Sequence, residues 1–324
     1  MSSAFRNFFL TLLLSLIVFG LVAWKLIPSV ESALLGPADE SVDVSDDASD
    51  SGDVSRDDNV SDLPPAENGE EVSCLFVGTN DDGRICSLIV TRVSEDRKIY
   101  LSSNISASTY VAYGSDDNGQ RYAPLYDILA GRDIGYISSV ISGLVGFDID
   151  FCFVSAPSDI GEVTALHDSI TVNIPYEIRY LLPEFAALPE EELSDEHYDV
   201  IPAGSVVLNA HNCESILNAL PTGQEPYTYD YSVQSTVYYT VFNSLFARTD
   251  IGESDNLLIE LSDISETNAQ LGDVLKYGPY LFSKSVYTNK NVEYPVVSQP
   301  QDGAQINVAD VSGAISAMAG AYSG

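Results

Sequence analysis

The chain has 324 residues and a formal net charge of −34, with 14 basic residues against 48 acidic ones. Nucleic-acid binding depends on Lys and Arg side chains that release counterions from the phosphates. The large acidic excess therefore argues against a nucleic-acid-binding protein. The length leaves room for a membrane anchor, a linker and one folded domain of about 250 residues.

An apolar segment close to the N-terminus predicts a membrane anchor. The uncharged run Phe8–Trp24 approaches the roughly 17 to 25 residues that cross a bilayer. We predict one transmembrane helix over 8–28, after a cytoplasmic segment of residues 1–7. Arg6 before the span and abundant acid after it place the remainder of the chain outside the cytoplasm. A cleaved signal peptide is the alternative, because a short basic and then apolar N-terminus also fits export.

The segment that follows is rich in Ser and Asp. Residues 29–72 carry many like charges and few large apolar side chains, so burial cannot offset the entropy cost of ordering them. We predict a disordered, self-repelling linker there, and a folded extracytoplasmic domain over 73–324.

The four cysteines of the chain follow no metal-ligand spacing, and the spacing leaves their disulfide state open. They are Cys74, Cys86, Cys152 and Cys213. Because Cys74 and Cys152 lie in apolar, strand-like runs, we expect small buried thiols at both positions.

Short apolar runs between turn residues predict the elements of the domain. Leu75–Gly78, Ile85–Val93 and Lys98–Ser102 are predicted as strands of a β-meander. Leu181–Tyr198 is acidic and predicts a loop or a short surface helix. The remaining predicted elements are helices over 126–145, 157–166 with Ser158 as its cap, 209–220 and 231–246, and strands over 147–155 and 169–174. Alternating strands and helices predict a layered α/β domain in which helices flank a central mixed sheet.

Self-contained motifs for catalysis or metal binding do not occur in the sequence. Neither Gly83 nor Gly119 lies at the centre of an EF-hand loop, since the acidic ligands that such a loop needs are missing. The three histidines share no zinc-ligand spacing, and there is no G-x-S-x-G or phosphate-binding glycine motif. The motif search therefore predicts no metal site.

Several segments, taken in their order, nevertheless resemble one family. They are Leu75–Thr79 and Arg84–Val90 as its first two strands, Leu101–Ser106 at its "L-S-I-P-R-D" turn, Val145–Phe151, Asp168–Pro175, Gly204–Asn209 at its "G-x-x-x-L-N-G", and Asp230–Tyr231 at its "D-f/y-x-R-x-x-R-Q" helix. In this order they resemble the LytR-CpsA-Psr family of bacterial cell-envelope proteins.

The resemblance implies a function at the membrane surface. The activity that the resemblance implies is the transfer of glycopolymers from a polyprenyl-phosphate lipid onto peptidoglycan with the assistance of Mg²⁺. The partners it implies for this chain are the membrane and a polyprenyl-phosphate lipid or cell-wall glycopolymer. Phosphoryl transfer depends on positioning and on neutralising phosphate charge, for which arginine forks and magnesium-binding carboxylates are suited.

Most of the charged groups that the resemblance implies are replaced in this sequence. The replacements are Cys86 for an aspartate, Ile105 and Ser106 for an Arg-Asp pair, Asn218 and Leu220 for paired arginines, and Val233, Thr236 and Val237 for the helix arginines and glutamine. Arg84 and Asp230 are the matches that remain, and they are the candidate catalytic residues. Arg92 and Arg121 are candidate ligand-binding residues of a rearranged site. We expect no cofactor, and Mg²⁺ only if the family's chemistry is retained.

Three hypotheses follow. The leading one is a membrane-anchored pseudoenzyme of the cell envelope that binds or scaffolds, because losing even one phosphate-stabilising donor lowers rates by about 10² to 10³. The second is an active glycopolymer phosphotransferase with a rearranged site. The third is a generic surface interaction protein whose 19 tyrosines contact partners.

Overall fold

The computed structural model describes residues 71–116, 119–166, 170–219, 230–247, 265–281, 284–301 and 303–323. These belong to one compact unit, Pro65–Gly324. The predicted anchor over 8–28 and almost all of the predicted linker lie outside the described residues. Among the helices described, none has both the length and the apolar character that a bilayer crossing requires.

Strands and helices alternate along the described chain. The strands are β1 (Glu71–Thr79), β2 (Ile85–Ser94), β3 (Ile99–Ser106), β4 (Tyr110–Asp116), β5 (Gly119–Pro124), β6 (Phe151–Ser155), β7 (Thr171–Ile174), β8 (Ile178–Leu181), β9 (Tyr198–Ile201), β10 (Gly204–Val207), β11 (Glu266–Thr267), β12 (Thr288–Asn291), β13 (Val296–Gln301) and β14 (Ala304–Ala309). The helices are α1 (Leu125–Ile128), α2 (Ile134–Val145), α3 (Pro157–Leu166), α4 (Ala210–Asn218), α5 (Ser232–Phe246), α6 (Leu271–Leu281) and α7 (Val311–Ser323).

A six-stranded mixed sheet forms the centre of the domain, in the order β11-β6-β1-β2-β3-β12. Strands β1, β2 and β3 pair antiparallel, as the predicted meander requires. Strands β1 and β6 are parallel, and so are β3 and β12. Consecutive residues, which point to opposite faces of the sheet, are buried along β1 and β2. This is typical of strands covered on both faces. The predicted mixed sheet flanked by helices is confirmed.

Helix α5 covers one face of this sheet with the predicted apolar stripe, since Val233, Val237, Val241 and Leu245 are all buried. Aromatic rings fill the space between this helix and the sheet. The ring centroid of Phe76 lies 5.3 Å from that of Phe153, 4.9 Å from that of Phe242 and 5.1 Å from that of Phe246. Such ring pairs stabilise the core beyond the apolar area they bury.

Two predictions about helices were wrong in detail. The predicted helix over 126–145 is two helices, because Gly131 takes a left-handed φ of 63° between them and Asp133 caps α2 by accepting from the amide of Tyr136. Ser158 does not cap α3, which already begins at Pro157. The Asp159 carboxylate accepts from the amide of Ala156 at 2.7 Å instead.

Strand boundaries also differ from the predictions. The third strand extends to Ser106, and the strand predicted over 147–155 begins at Phe151. The acidic segment 181–198 contains three short 3₁₀ turns, between two strands, β8 and β9, that pair with each other. A second sheet of order β13-β14-β4-β5 was not predicted.

All four cysteines are free and buried, which answers the open question of disulfide bonds for these residues. The predicted burial of Cys74 and Cys152 is confirmed.

Candidate functional site

The ends of several strands meet at one edge of the central sheet. Register places the last residues of β1 beside those of β6, with Gly78 opposite Ser155, and the start of β2 beside the end of β3, with Ser87 opposite Ser106. The carboxyl edge of strands is a common ligand position in open α/β sheets. We call the group Arg84, Cys86, Asp127, Asn218 and Tyr238 at this edge the strand-end site.

The turn between β1 and β2 forms the outer wall of the site. Gly83 takes the left-handed φ of 72° that a tight turn needs. The side chain of Asn80 accepts from the amide of Arg84 at 2.8 Å, and its backbone amide donates to the Arg84 carbonyl at 3.0 Å. These bonds fix the backbone from which Arg84 extends.

Asn218 holds the same turn from the end of α4. Its side-chain oxygen accepts from the amide of Asp81, and its side-chain nitrogen donates to the Asp81 carboxylate, both at 2.8 Å. The family resemblance implies an arginine at this position. Both hydrogen-bonding groups of the Asn218 side chain are thus bonded to Asp81 of the same chain.

Tyr238 of α5 closes the inner wall. Its hydroxyl donates to the carbonyl of Thr79 at 2.6 Å and lies 3.2 Å from the carbonyl of Ser155, so one side chain contacts the carboxyl ends of both β1 and β6. The ring lies directly over Gly78, where an added Cβ would be 2.4 Å from a ring carbon. Burial raises the pKa of this phenol well above its ordinary value.

Cys86 stands where the resemblance implies an aspartate. Its side chain is fully buried, and the thiol donates to the Arg84 carbonyl with sulfur and oxygen 3.4 Å apart. Burial raises the pKa of the thiol to about 12. A neutral thiol at this position supplies neither the anion nor the hard oxygen of a carboxylate.

The remaining replaced positions that the structure describes are engaged in the fold, and Leu220 lies outside the described residues. Val233 and Val237 are core residues, and Thr236 donates to the carbonyl of Ser232 at 2.7 Å. Ile105 is fully buried, and the hydroxyl oxygen of Ser106 accepts from the amide of Ser108 at 3.2 Å. These side chains pack or bond within the chain.

Arg84 interacts electrostatically with a carboxylate that the sequence did not single out, that of Asp127. Asp127 of α1 is exposed but partly desolvated. This desolvation raises its pKa, and the positive charge of Arg84 opposes the shift. The pair brings one cation and one carboxyl group to the strand-end site. No sequence motif marks Asp127, because its place beside Arg84 depends on how β4 and β5 fold back.

The other predicted site residues lie in different surroundings. Asp230 is exposed and accepts from the amide of Ser232 at the start of α5, at 2.9 Å. Arg121 lies on β5, opposite Gly114 in the second sheet. Their proposed roles in binding or catalysis stay predictions.

Arg92 lies at the other end of β2, roughly 25 Å along the strand from Arg84 at about 3.3 Å per residue. It forms an ion pair with Glu71 at 2.7 Å, and its guanidinium lies 4.2 Å from the ring centroid of Tyr322 and 5.0 Å from that of Phe147. A cleft of about 370 Å³ beside it also contains Asp148 and Asp150 among its lining residues. The structure therefore does not bring Arg92 and Arg84 into one cluster.

The strand-end residues do not fit Mg²⁺. This ion prefers several hard oxygen ligands, whereas the site offers the Asp127 carboxyl, which interacts electrostatically with the Arg84 cation, and the neutral thiol of Cys86. Across the described residues, no three His, Cys, Asp or Glu side chains are grouped so that they could hold a metal ion.

Comparison with known proteins gives likeness of fold. Bacillus subtilis TagV matches with a TM-score of 0.54 and 15% sequence identity, and the match covers 78% of this chain and 96% of TagV. Protein gbs0355 of Streptococcus agalactiae matches with a TM-score of 0.56 and 14% identity, covering 78% of this chain and 86% of that protein. The structure of TagT bound to LI-WTA matches with a TM-score of 0.53 and 10% identity, covering 82% of this chain and 93% of TagT. No protein-family model and no curated protein matches the sequence. TagV and TagT are LytR-CpsA-Psr proteins, so the predicted LytR-CpsA-Psr-like fold is confirmed.

Proposed function

We propose that this protein is a membrane-anchored, extracytoplasmic member of the cell envelope that binds or scaffolds a glycopolymer, free or lipid-linked, without transferring it. One observation carries the proposal. The replaced positions that the structure describes hold side chains engaged in packing or in hydrogen bonds to the chain itself. Cys86 and Asn218 at the strand-end site are the clearest cases.

The likeness of fold to TagT, which has been solved bound to LI-WTA, supports a glycopolymer as the partner. The lack of transfer rests on electrostatics. A diphosphate in transfer needs several preorganised cations, and the arrangement here offers Arg84 opposed by Asp127. The chain's net charge of −34 further opposes an anionic carrier.

A transfer assay on the full chain tests this proposal. Radiolabelled polyprenyl-diphosphate-linked glycopolymer is incubated with the purified protein, peptidoglycan fragments and Mg²⁺, with TagT under the same conditions as the comparison. We expect co-purification of the glycopolymer and no protein-dependent label on peptidoglycan. Label on peptidoglycan that depends on this protein would refute the lack of transfer, and failure of both lipid-linked and free glycopolymer to co-purify would refute binding.

The Arg84–Asp127 pair favours one alternative, an enzyme with a rearranged site. In that case Arg84→Gln would abolish the label on peptidoglycan, whereas Arg92→Gln, at the far end of β2, would leave it largely unchanged. The predicted anchor over 8–28 is tested separately, by fusing to the C-terminus a reporter that is active only outside the cytoplasm.

A further inference from the structure

The second sheet has a groove of about 490 Å³ that involves all four of its strands. Register pairs Val297 with Val308 and Ala112 with Tyr122, and directly paired residues project from the same face of a sheet. Val308 and Tyr122 belong to a small apolar cluster that is separate from the main core. We call this feature the sheet groove, defined by Gln120, Tyr122, Val297, Gln299 and Val308.

The lining of the sheet groove combines apolar surface with uncharged hydrogen-bonding groups. Gln120 and Gln299 contribute carboxamides, and the Tyr122 hydroxyl donates to the Gln120 side-chain oxygen at 3.0 Å. Val297 is 48% exposed and supplies aliphatic surface to the groove. The groove thus presents donors, acceptors and bare aliphatic surface together.

Of the described residues that line the groove, Asp310 alone is charged. Its carboxylate is already engaged at the start of α7, where it accepts from the amide of Gly313 at 2.9 Å and from the Ser312 hydroxyl at 3.1 Å. A cationic ligand therefore meets a carboxylate that is already bonded, and an anionic ligand meets no lysine or arginine. In a chain of net charge −34, this local neutrality favours an uncharged ligand.

We propose that the sheet groove binds an uncharged oligosaccharide. Sugar hydroxyls both donate and accept, as carboxamides do, and the C–H faces of sugar rings pack against tyrosine rings and aliphatic side chains. A volume of about 490 Å³ falls within the range of roughly 300 to 1,000 Å³ for small-ligand sites.

An extended peptide fits this groove less well. Strand addition uses the unpaired backbone groups of an edge strand, and the edges of this sheet are β13 and β5. The groove runs across strands and is lined by their side chains, so recognition there depends on side-chain groups. This inference concerns a surface other than the strand-end site and does not rest on the proposed function.

Titration calorimetry on the full chain tests the inference with two uncharged probes, an N-acetylglucosamine tetramer and maltotetraose. We expect at least one probe to bind, and Gln299→Ala and Gln120→Ala each to raise its Kd by about three- to tenfold, the usual effect of losing one neutral hydrogen bond. Gln305→Ala is the matched control. Gln305 is an exposed residue of β14, and because side chains alternate along a strand, it projects from the face opposite to that of its neighbour Ile306. Its Kd should equal that of the wild type.

Tyr122 gives a second measurement in case a glutamine variant perturbs folding. Tyr122→Phe should retain most of the affinity and Tyr122→Leu should lose most of it, since the ring supplies the packing surface, and thermal unfolding should confirm that both variants are folded. The inference is overturned if neither probe binds at millimolar concentration or if all groove variants bind like the wild type. Equal binding of a polyanion such as polygalacturonate, or tighter binding of an uncharged peptide, would overturn the ligand class.

Discussion

Asn218 and Asp81 exchange two hydrogen bonds of 2.8 Å although 137 residues separate them in sequence. The pair joins the last residue of α4 to the β1–β2 turn, and it occupies a position at which the family resemblance implies an arginine. The two bonds hold this edge of the sheet together through groups of the protein itself.

Asn218→Ala should therefore lower the free energy of unfolding by about 1 kcal/mol, because both bonds are lost at a site where water partly replaces them. Asn218→Asp should cost more, since it places a second carboxylate against Asp81. Urea unfolding measures both changes, with Asn307→Ala, at an exposed position of β14, as the control. A variant Asn218→Ala as stable as the wild type would mean that the pair does not hold the turn.

Gly78 should tolerate no side chain, because an added Cβ would lie 2.4 Å from the anchored ring of Tyr238. We expect Gly78→Ala to destabilise the protein by about 2 kcal/mol or more, as overpacking of a rigid core does. Combining it with Tyr238→Leu should cost less than the sum of the two single changes.

The control for this prediction is Gly143→Ala. A Cβ at Gly143 in α2 meets no atom within 4 Å, so alanine should stabilise that helix by about 0.5 to 1 kcal/mol. Additivity of Gly78→Ala and Tyr238→Leu would show that the ring is not the obstacle.

Local patterns allowed much of this architecture to be predicted. The meander of β1, β2 and β3 and helix α5 follow from alternation and from an i, i+4 stripe, which are properties of neighbouring residues. The contact between Gly78 and Tyr238 joins residues 160 positions apart in the numbering, and nothing near either residue marks it. The second sheet was missed for a similar reason, since β4 and β14 meet at a single register pair, Val308 with Tyr110.

The candidate site was predicted only in part. Cys86 and Asn218 could be identified as replacements by position along the chain. That Asn218 bonds to Asp81, and that Asp127 lies beside Arg84, depends on tertiary packing. Arg92 was a reasonable candidate as a cation near an apolar strand, but its partners Glu71 and Tyr322 come from the first described strand and the last helix.

The cysteine thiols should resist alkylation in the native protein. Burial raises the pKa values of Cys86, Cys152 and Cys213 to about 12 and that of Cys74 well above its ordinary value, and thiolates are the reactive form. Iodoacetamide at pH 8 followed by mass spectrometry should detect modification of all four only after unfolding in guanidinium. Rapid native labelling of Cys86 would show that the strand-end site is more open than described.

Arg92 should stabilise the fold, because its ion pair with Glu71 and its stacking on Tyr322 link β1, β2 and α7. We expect Arg92→Ala to lower the free energy of unfolding by about 1 to 2 kcal/mol. Arg179→Ala is a matched control with the same two kinds of contact, to Asp195 and Tyr198, in a more exposed setting. It should cost less than about 0.5 kcal/mol, and equal losses in chemical denaturation would refute the role assigned to Arg92.

Asp127 should make stability depend on pH in one direction. Its pKa in the folded protein is raised above the ordinary value of 3.8 by desolvation, so between those two values the folded state binds more protons than the unfolded state. Stability contributed by this group therefore falls as the pH rises through that window and levels off above the folded pKa.

Asp127→Asn removes the titration, and the stability of this variant relative to the wild type should increase from pH 3 to pH 7. Arg84→Met should shift the wild-type window to higher pH, because the guanidinium opposes the rise in pKa. A wild type that instead gains stability relative to Asp127→Asn as the pH rises would show that attraction to Arg84 outweighs desolvation at the strand-end site, which would favour the enzymatic alternative.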